Sequence, residues 1–245
     1  MRLMAVLLTL LLASCVCKGP NPADPYESIN REIHKFNMAF DATMLKPPAR
    51  LYKAMIPAPV RGSINNAYEN INMIPTAAND LLQGDFRCAT RSTWRFFINS
   101  TLGVAGLFDV ATRFGLPPHN NDLGLTFAKW GDKKSPYIII PFLGPSTIRD
   151  GMGMLFEYTL ITPYAYINDD AVLYSVLALR YVDLRSQLFD TERLMREALD
   201  PYAFLRDAYL QHRAYLINGA VDTPDDTAGT MYVEDDSQPS DYVEG

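Results

Sequence analysis

The sequence predicts an all-α domain, and three observations carry that reading. Apolar residues recur at spacings of three and four along most of the chain. Proline and glycine punctuate these runs at intervals suited to helices rather than to short strands. Only Tyr137 to Leu143 is β-like, and nothing alternates strand with helix in the manner of a parallel sheet.

Taken in order, Glu27 to Leu45 carries Ile29, Ile33, Phe36 and Phe40 on one face, with Asp24 as its N-cap, Glu27 three residues later, and Pro47-Pro48 as its stop. A second helix is expected from Pro59 to Ile74, broken or kinked at Pro75, with a continuation from Thr76 to Gln83 ending at Gly84. Phe86 to Thr101 reads as a helix ending at Gly103, and a short one follows over 104–114. Pro117 to Gly124 is a loop. In Tyr137 to Leu143 the isoleucines favour a strand, while Pro136 and Pro141 restrict it to an edge or an extended buried segment. Helices are then expected over 146–160, 169–189 and 191–199, with Asp200-Pro201 opening a last one to Asn218-Gly219. One pattern does not suit a simple soluble bundle: Trp94, Phe96, Phe97 and Ile98, and again Phe142 and Leu143, place apolar side chains on more than one side of the chain. Such an element is buried on both sides or touches lipid.

The two ends are not part of the fold. Met1-Arg2 followed by an uncharged run from Leu3 to Ala13 has the form of a secretory signal. It is short of the roughly 20 apolar residues that span ~30 Å of hydrocarbon. Leu12-Ala13-Ser14-Cys15 resembles the bacterial lipobox, in which small residues admit the peptidase and the cysteine thiol takes a diacylglycerol. Cys15 is therefore the expected lipid attachment site, with about 0.8 kcal/mol of membrane affinity per buried CH₂. Val16, not aspartate, follows it, which by the sorting rules of such proteins implies the outer membrane. The expected organisation is a signal peptide over 1–14, a lipidated tether over 15–25, a helical domain over 26–220 and a disordered acidic tail over 221–245. Eight of the 28 acidic residues lie in that tail, from Asp222 to Glu244, with no Lys or Arg among them. The body keeps 20 acids against the 21 bases that remain without Arg2, so it is near neutral and has no basic footprint for nucleic acid.

Catalytic chemistry is not written in the chain. His34, His119 and His212 lack a paired ligand at helical spacing, and neither a GxSxG elbow nor a GxxxxGK[ST] loop is present. No Cys/His spacing suggests a metal, and no cofactor is implied. Cys17 and Cys88 are left, and spacing alone does not decide between a disulfide and two free thiols.

Several blocks stand in a recognisable order. They are Asp24-Pro25-Tyr26-Glu27-Ser28-Ile29-Asn30-Arg31 continuing to Phe36-Asn37; Leu82-Gln83-Gly84-Asp85; Arg95-Phe96-Phe97-Ile98-Asn99-Ser100-Thr101-Leu102-Gly103; Asp122-Leu123-Gly124-Leu125-Thr126 with Trp130-Gly131; Pro141-Phe142, then Gly144-Pro145-Ser146-Thr147-Ile148-Arg149-Asp150; and Asp200-Pro201-Tyr202. In these blocks the chain resembles the MlaA (VacJ) family of lipoproteins over about residues 24–219. The resemblance implies a ring-shaped multi-helix domain in the inner leaflet of the outer membrane, lipid-anchored on the periplasmic face. It implies removal of mislocalised phospholipids from the outer leaflet, transfer to the periplasmic carrier MlaC, and association with a trimeric porin, with no enzymatic step. Asn30, Arg31, Phe36 and Asn37 fall in the motif that would frame the channel or pack the ring. Arg31 and Arg149 are expected to hold the fold through buried pairing rather than to bind phosphate. Asn30, Asn37, Asn65, Asn66, Asn70 and Asn72 are candidates for a neutral headgroup path. Two other readings compete: a structural lipoprotein scaffolding porins, and a lipid-modifying enzyme.

Overall fold

A computed structural model describes residue 19 and residues 21–131, 133–189 and 191–218. The signal, Cys15, Cys17 and the acidic tail lie outside the described residues. The chain is mostly helical: α1 (Glu27–Phe40), α2 (Lys46–Met55), α3 (Ala58–Leu82), α4 (Phe86–Thr101), α5 (Leu123–Trp130), a hairpin of β1 (Tyr137–Ile140) and β2 (Gly144–Thr147), then α6 (Ile148–Leu160), α7 (Asp170–Gln187), α8 (Glu192–Glu197) and α9 (Pro201–Asn218). Among the described residues no helix is long and apolar enough to cross a membrane.

Several boundaries follow from local chemistry that the sequence displays. Asp85 accepts from the Cys88 amide at 2.9 Å and opens α4. Asp169 accepts from the amides of Ala171 and Val172 and opens α7. Asp200 accepts from Tyr202 and Ala203 at the head of α9. Gly84 follows α3 at a φ of +76°, where a side chain would be strained.

Other boundaries depart from expectation, each for a physical reason. The Pro47-Pro48 pair does not stop the first helix. Asp41–Leu45 makes a π-helical turn and the chain continues as α2 with the prolines in its first turn, where a missing N–H costs nothing. Pro75 does not break α3; it is buried inside one 25-residue helix. Nearby, Thr76 Oγ1 donates to the Asn72 carbonyl and Asn79 Nδ2 to the Pro75 carbonyl. Asp24 does not cap α1. The N-cap is Tyr26, and Asp24, assigned by the sequence to the tether, is fully buried. The short helix expected over 104–114 is reduced to a 3₁₀ turn, Thr112–Phe114, because Val104, Ala105 and Gly106 all take positive φ. A side chain at Gly106 would run into that of Asn70 at 2.7 Å, so the loop folds down onto α3. The Pro117 to Gly124 loop ends two residues early, where Asp122 accepts from the Leu125 amide and starts α5. Ser146 and Thr147, expected in a helix, belong to β2, which pairs antiparallel with β1 in the register Ile140↔Gly144 and Tyr137↔Thr147.

The interior is the unusual part. Among the described residues eighteen buried ones are polar or charged and eleven are apolar. Helix α4 buries Ala89, Ser92, Arg95 and Asn99 and leaves Trp94 and Phe97 more than half exposed. Helix α3 packs along this face, with Asn70 donating to Ser100 and Asp80 accepting from Ser92. Most of the polar groups satisfy one another, although Asn70 Oδ1 and Arg95 Nε are buried without a partner among the described residues. Arg95 donates to Asp109 and Thr112, Asn99 donates to Asp109 and accepts from the Ala111 amide, and Asp80 accepts from Ser92, His119 and Asn121. Buried polar atoms are tolerated only when so paired. Large apolar side chains therefore face outward, including Leu51, Met55, Phe86, Leu102, Phe108, Phe114, Leu155 and Leu160. The apolar core proper is small: Tyr137, Ile139 and Tyr202, with Ile33, Tyr209 and Leu210 against them.

Asn30 joins the N-terminus to the hairpin. Its Nδ2 donates to Asp24 at 2.8 Å and to the Tyr137 carbonyl at 3.2 Å, and its Oδ1 accepts from the Ile139 amide at 2.9 Å. Replacing Asn30 by Ala strands the buried Ile139 amide and one face of Asp24. The expected loss is about 3 kcal/mol of stability, read as a fall in the urea midpoint at unchanged slope. An effect below about 0.5 kcal/mol would mean that these groups are satisfied another way.

Candidate functional site

The hairpin turn is built around a second asparagine on the same helix. Pro141, Phe142 and Leu143 connect the strands, and Phe142 takes a φ of +67°, a conformation that costs a bulky residue energy. Asn37 holds it there: Oδ1 accepts from the Phe142 amide at 2.8 Å and Nδ2 donates to the Ile140 carbonyl at 3.0 Å. The Phe142 ring is thereby set edge-on against Phe36 and Phe40, at 5.2 and 4.9 Å between centroids. Asn30 and Asn37 lie two turns apart on α1 and fasten the hairpin at both ends.

Beneath this turn lies a cleft of about 400 Å³. Phe40, Leu45, Phe142, Leu143, Leu188, Met195, Phe204 and Leu205 make an apolar wall, and His34, Asn37, Asp41, Lys46, Arg185 and Glu192 supply its polar groups. Burial depresses the His34 pKa, and the neighbouring Arg31 adds to the effect, so the ring is neutral at physiological pH. The ionic groups are tied together. Arg185 donates to both carboxylate oxygens of Asp41, at 2.5 and 2.8 Å, and approaches Glu192 at 3.3 Å, while Lys46 pairs with Glu192. The bonds to Asp41 and Glu192 raise the Arg185 pKa further. Burial works to raise that of Glu192, but Lys46 and Arg185 outweigh it and hold the carboxylate ionised.

Leu143, Gly144 and Pro145 also wall a second cavity, of about 270 Å³, on which Asp122, Asp150, Glu157, Tyr209 and Arg213 converge. Arg213 bridges Asp122 and Asp150, and Arg149 donates to Asp150 at 2.7 Å, so burial fails to raise the Asp150 pKa. Glu157 has only neutral partners, the Leu123 amide at 2.8 Å and Asn79 at 2.9 Å, and there burial does raise the pKa. A third cavity, of about 260 Å³ and largely polar, takes in Asn65, Asn66 and Asn70 with Arg95 and Asp109.

The four motif residues thus meet different fates. Asn30 and Asn37 are clamps whose amides are consumed by the hairpin. Phe36 is half exposed and backs the Phe142 ring. Arg31 pairs with Glu27 and, bidentately, with Asp200, and stacks over Tyr202 at 4.3 Å. The pairing expected of Arg31 is present, but at the surface: its side chain is 37% exposed, whereas Arg149 is buried. The cleft residues from α7, α8 and α9 carry no motif. Only their position beside the hairpin brings them to the site. Among the described residues no group of His, Cys, Asp and Glu is arranged to hold a metal.

A small hairpin clamped by a helix, a polar interior and an outward apolar surface beside an amphipathic cleft define a class, that of helical proteins whose exterior suits apolar surroundings. The chain belongs to the MlaA lipoprotein family, whose model matches residues 22–216. It is 36% identical to an uncharacterized protein of Rickettsia bellii (strain RML369-C), over 78% of this chain and 75% of that one. It is 29% identical to the intermembrane phospholipid transport system lipoprotein MlaA of Escherichia coli (strain K12), over 96% of each. A solved structure described as "Structural basis for maintenance of bacterial outer membrane lipid asymmetry" superposes with a TM-score of 0.70 at 31% identity, covering 80% of this chain and 99% of that one.

The Glu157 environment makes a pH prediction. A carboxyl whose folded pKa lies above its unfolded value binds more protons when folded, so its contribution to stability declines as pH rises from the unfolded pKa through the folded one. Both of its hydrogen bonds go to one oxygen, which Gln retains. Glu157→Gln should therefore gain on the wild type as pH is raised from 4.5 toward neutrality, in paired thermal melts. A constant difference between the two across that window would refute the raised pKa.

Proposed function

We propose that this protein is an outer-membrane lipoprotein that removes mislocalised phospholipids from the outer leaflet and passes them to a soluble periplasmic carrier of the MlaC kind, so maintaining lipid asymmetry. Its organisation is a signal over 1–14, a tether over 15–25 acylated at Cys15, a helical domain over 26–220 and an acidic tail over 221–245. The domain forms a ring lying in the inner leaflet on the periplasmic side, beside a trimeric porin, and carries out no enzymatic step.

The observation that carries the reading is the joint match in sequence and fold to proteins of phospholipid transport. The physical form supports it. A polar interior with an apolar exterior is costly in water and favourable among acyl chains. With no spanning helix among the described residues, insertion from one side is the geometry that suits such a surface. Helices keep their backbone hydrogen bonds internal, which hydrocarbon requires. The cleft offers an apolar wall for acyl chains beside ionic groups for a headgroup. Phe36 and Asn37 contribute to the channel frame through the hairpin, and Asn30 and Arg31 pack it.

Cells lacking the protein should accumulate phospholipid in the outer leaflet, read by an acyl- or headgroup-transfer reaction confined to that leaflet. The wild type should reverse the rise and Cys15→Ala should not. No change on deletion would sink the transport reading in favour of a porin scaffold. Reversal by a chain with no acyl anchor would remove Cys15 from the account.

A further inference from the structure

Both tryptophans of the chain stand on one edge of the molecule, among bases that lack partners. The edge is the corner where α3 gives way to α4, with the C-terminal end of α5 against it. Trp130 Nε1 donates to the Leu82 carbonyl at 3.1 Å and ties the end of α5 to the end of α3. Arg87, Arg91 and Trp94 follow one another on α4 at spacings of four and three, so they share a stripe of that helix. Lys129 adjoins Trp130, and Lys133 and Lys134 follow within four residues of it. The Cys88 amide holds the Asp85 carboxyl below its ordinary pKa, and Lys129 adds to the effect. Burial raises the Cys88 pKa, and Arg91 works against it. Both bases therefore act on the same corner.

Arg87, Arg91, Lys129, Lys133 and Lys134 have no ion-pair partner among the described residues, whereas bases of the cleft and the interior are paired. Segments 84–94 and 129–134 hold these five bases against two acids, Asp85 and Asp132, in a body that is otherwise near neutral. Asp85 is committed to the Cys88 amide, and Asp132 lies outside the described residues. Trp94 and Trp130 are 58% and 59% exposed, and Phe86 and Leu82 are exposed beside them. Single exposed aromatics need no explanation, and neither do single unpaired bases. Their interleaving on one edge does. It suits the headgroup layer of a bilayer, where an indole sets its ring against acyl chains and its N–H toward water. Lys and Arg there lay their stems along apolar surface and lift their charges to the phosphates.

We propose that this edge is an interfacial anchor that recognises anionic phospholipid headgroups. It rests on the membrane placement proposed above and not on transport. Trp94, Trp130 and Phe86 sit where acyl chains meet headgroups, and the five bases lie against the phosphates. A zwitterionic headgroup brings its own ammonium and gains little from added cations. A headgroup with phosphate alone is attracted by all of them. The lipid gathered at this edge is therefore richer in the anionic class than the bilayer around it, and the contact holds the α3–α4 corner at headgroup depth.

The two tryptophans are also the reporter, since the chain has no others. The full acylated chain is reconstituted into vesicles of equimolar phosphatidylethanolamine and phosphatidylglycerol, with the acyl chains of one lipid or the other brominated near the headgroup. Bromine quenches indole fluorescence only at short range. At low salt the wild type should be quenched severalfold more by the brominated glycerol lipid. Raising salt to about 1 M, where charges are screened beyond ~3 Å, should bring the two quenching levels together. The variant carrying Arg87→Gln, Arg91→Gln, Lys129→Gln, Lys133→Gln and Lys134→Gln should do the same at low salt while still being quenched. The salt comparison needs no substitution and decides the matter if that variant fails to fold. Equal quenching by the two lipids in the wild type overturns the anchor and leaves the membrane placement intact. So does a preference that persists at high salt or in the folded variant. Equal quenching that turns into a preference for the glycerol lipid once residues 222–245 are removed gives the edge to the acidic tail, and likewise overturns the proposal. Quenching by neither lipid overturns the anchor and the placement of this edge in the membrane together, while the outer-leaflet assay decides the transport reading separately.

Discussion

Mutual satisfaction of buried polar groups is the interaction on which the rest of this molecule depends. Its interior holds Asp24, Asn30, Asp80, Arg95, Asn99, Asp150, Asp183 and Arg213, and each of them is bonded to another part of the chain. Removing one partner leaves another buried and unpaired, which costs more than the bond itself contributes. The network therefore behaves as a unit, and side chains far apart in sequence are fixed to one another: Asp24 to Tyr202, Asp80 to His119, Asp122 to Arg213. Because polar groups occupy the centre, apolar ones are displaced outward. A surface suited to acyl chains is the result of that arrangement.

The same logic explains the hairpin. A two-stranded sheet has little stability of its own, and this one carries a strained Phe142 at its turn. Asn30 and Asn37 supply the hydrogen bonds that neighbouring strands would otherwise give. Through them the long helix α1 dictates where the hairpin lies, and the hairpin in turn divides the cleft from the smaller cavity around Arg213. Position passes from a helix to a strand to a ring, Phe142, that stands at the wall of the site. The closing side of the cleft comes from α7, α8 and α9, pinned by Arg185 and Lys46 to Asp41 and Glu192.

Most helices were legible because period and punctuation act locally. Phe86 to Thr101 is bounded as the sequence predicts, and Asp200 caps as expected. What was not legible depended on the rest of the molecule. Prolines at 47, 48 and 75 read as breakers, yet a π turn and a buried helix core accommodate them. The β2 segment Gly144–Thr147 has no strand signature and exists only because β1 lies beside it. Asp24 has the spacing of an N-cap and is instead drawn into the interior by Asn30 and Tyr202. For the site, the motif pointed to the correct helix, and outward-facing aromatics hinted at lipid. The cleft is not legible in the sequence because Arg185, Glu192 and Phe204 lie some 140 to 170 residues beyond Asp41 and Phe36 and share no spacing with them. Of the six asparagines that are candidates for a headgroup path, Asn37 is engaged by backbone groups of the hairpin and Asn30 by the hairpin backbone and Asp24.

The central claim is that phospholipid enters the cleft beneath the hairpin, not merely that it bathes the outer surface. The most direct test replaces single residues with a photoreactive phenylalanine analogue in cells labelled with radioactive phosphate. Phe142 and Phe204 report on the cleft, and Trp94 and Phe97 on the exterior. Phospholipid adducts at Phe142 and Phe204, reduced when Asn37 is replaced by Ala, are the predicted result. Adducts at Trp94 and Phe97 with none at either cleft position would contradict the account, leaving a protein that sits in lipid without conducting it.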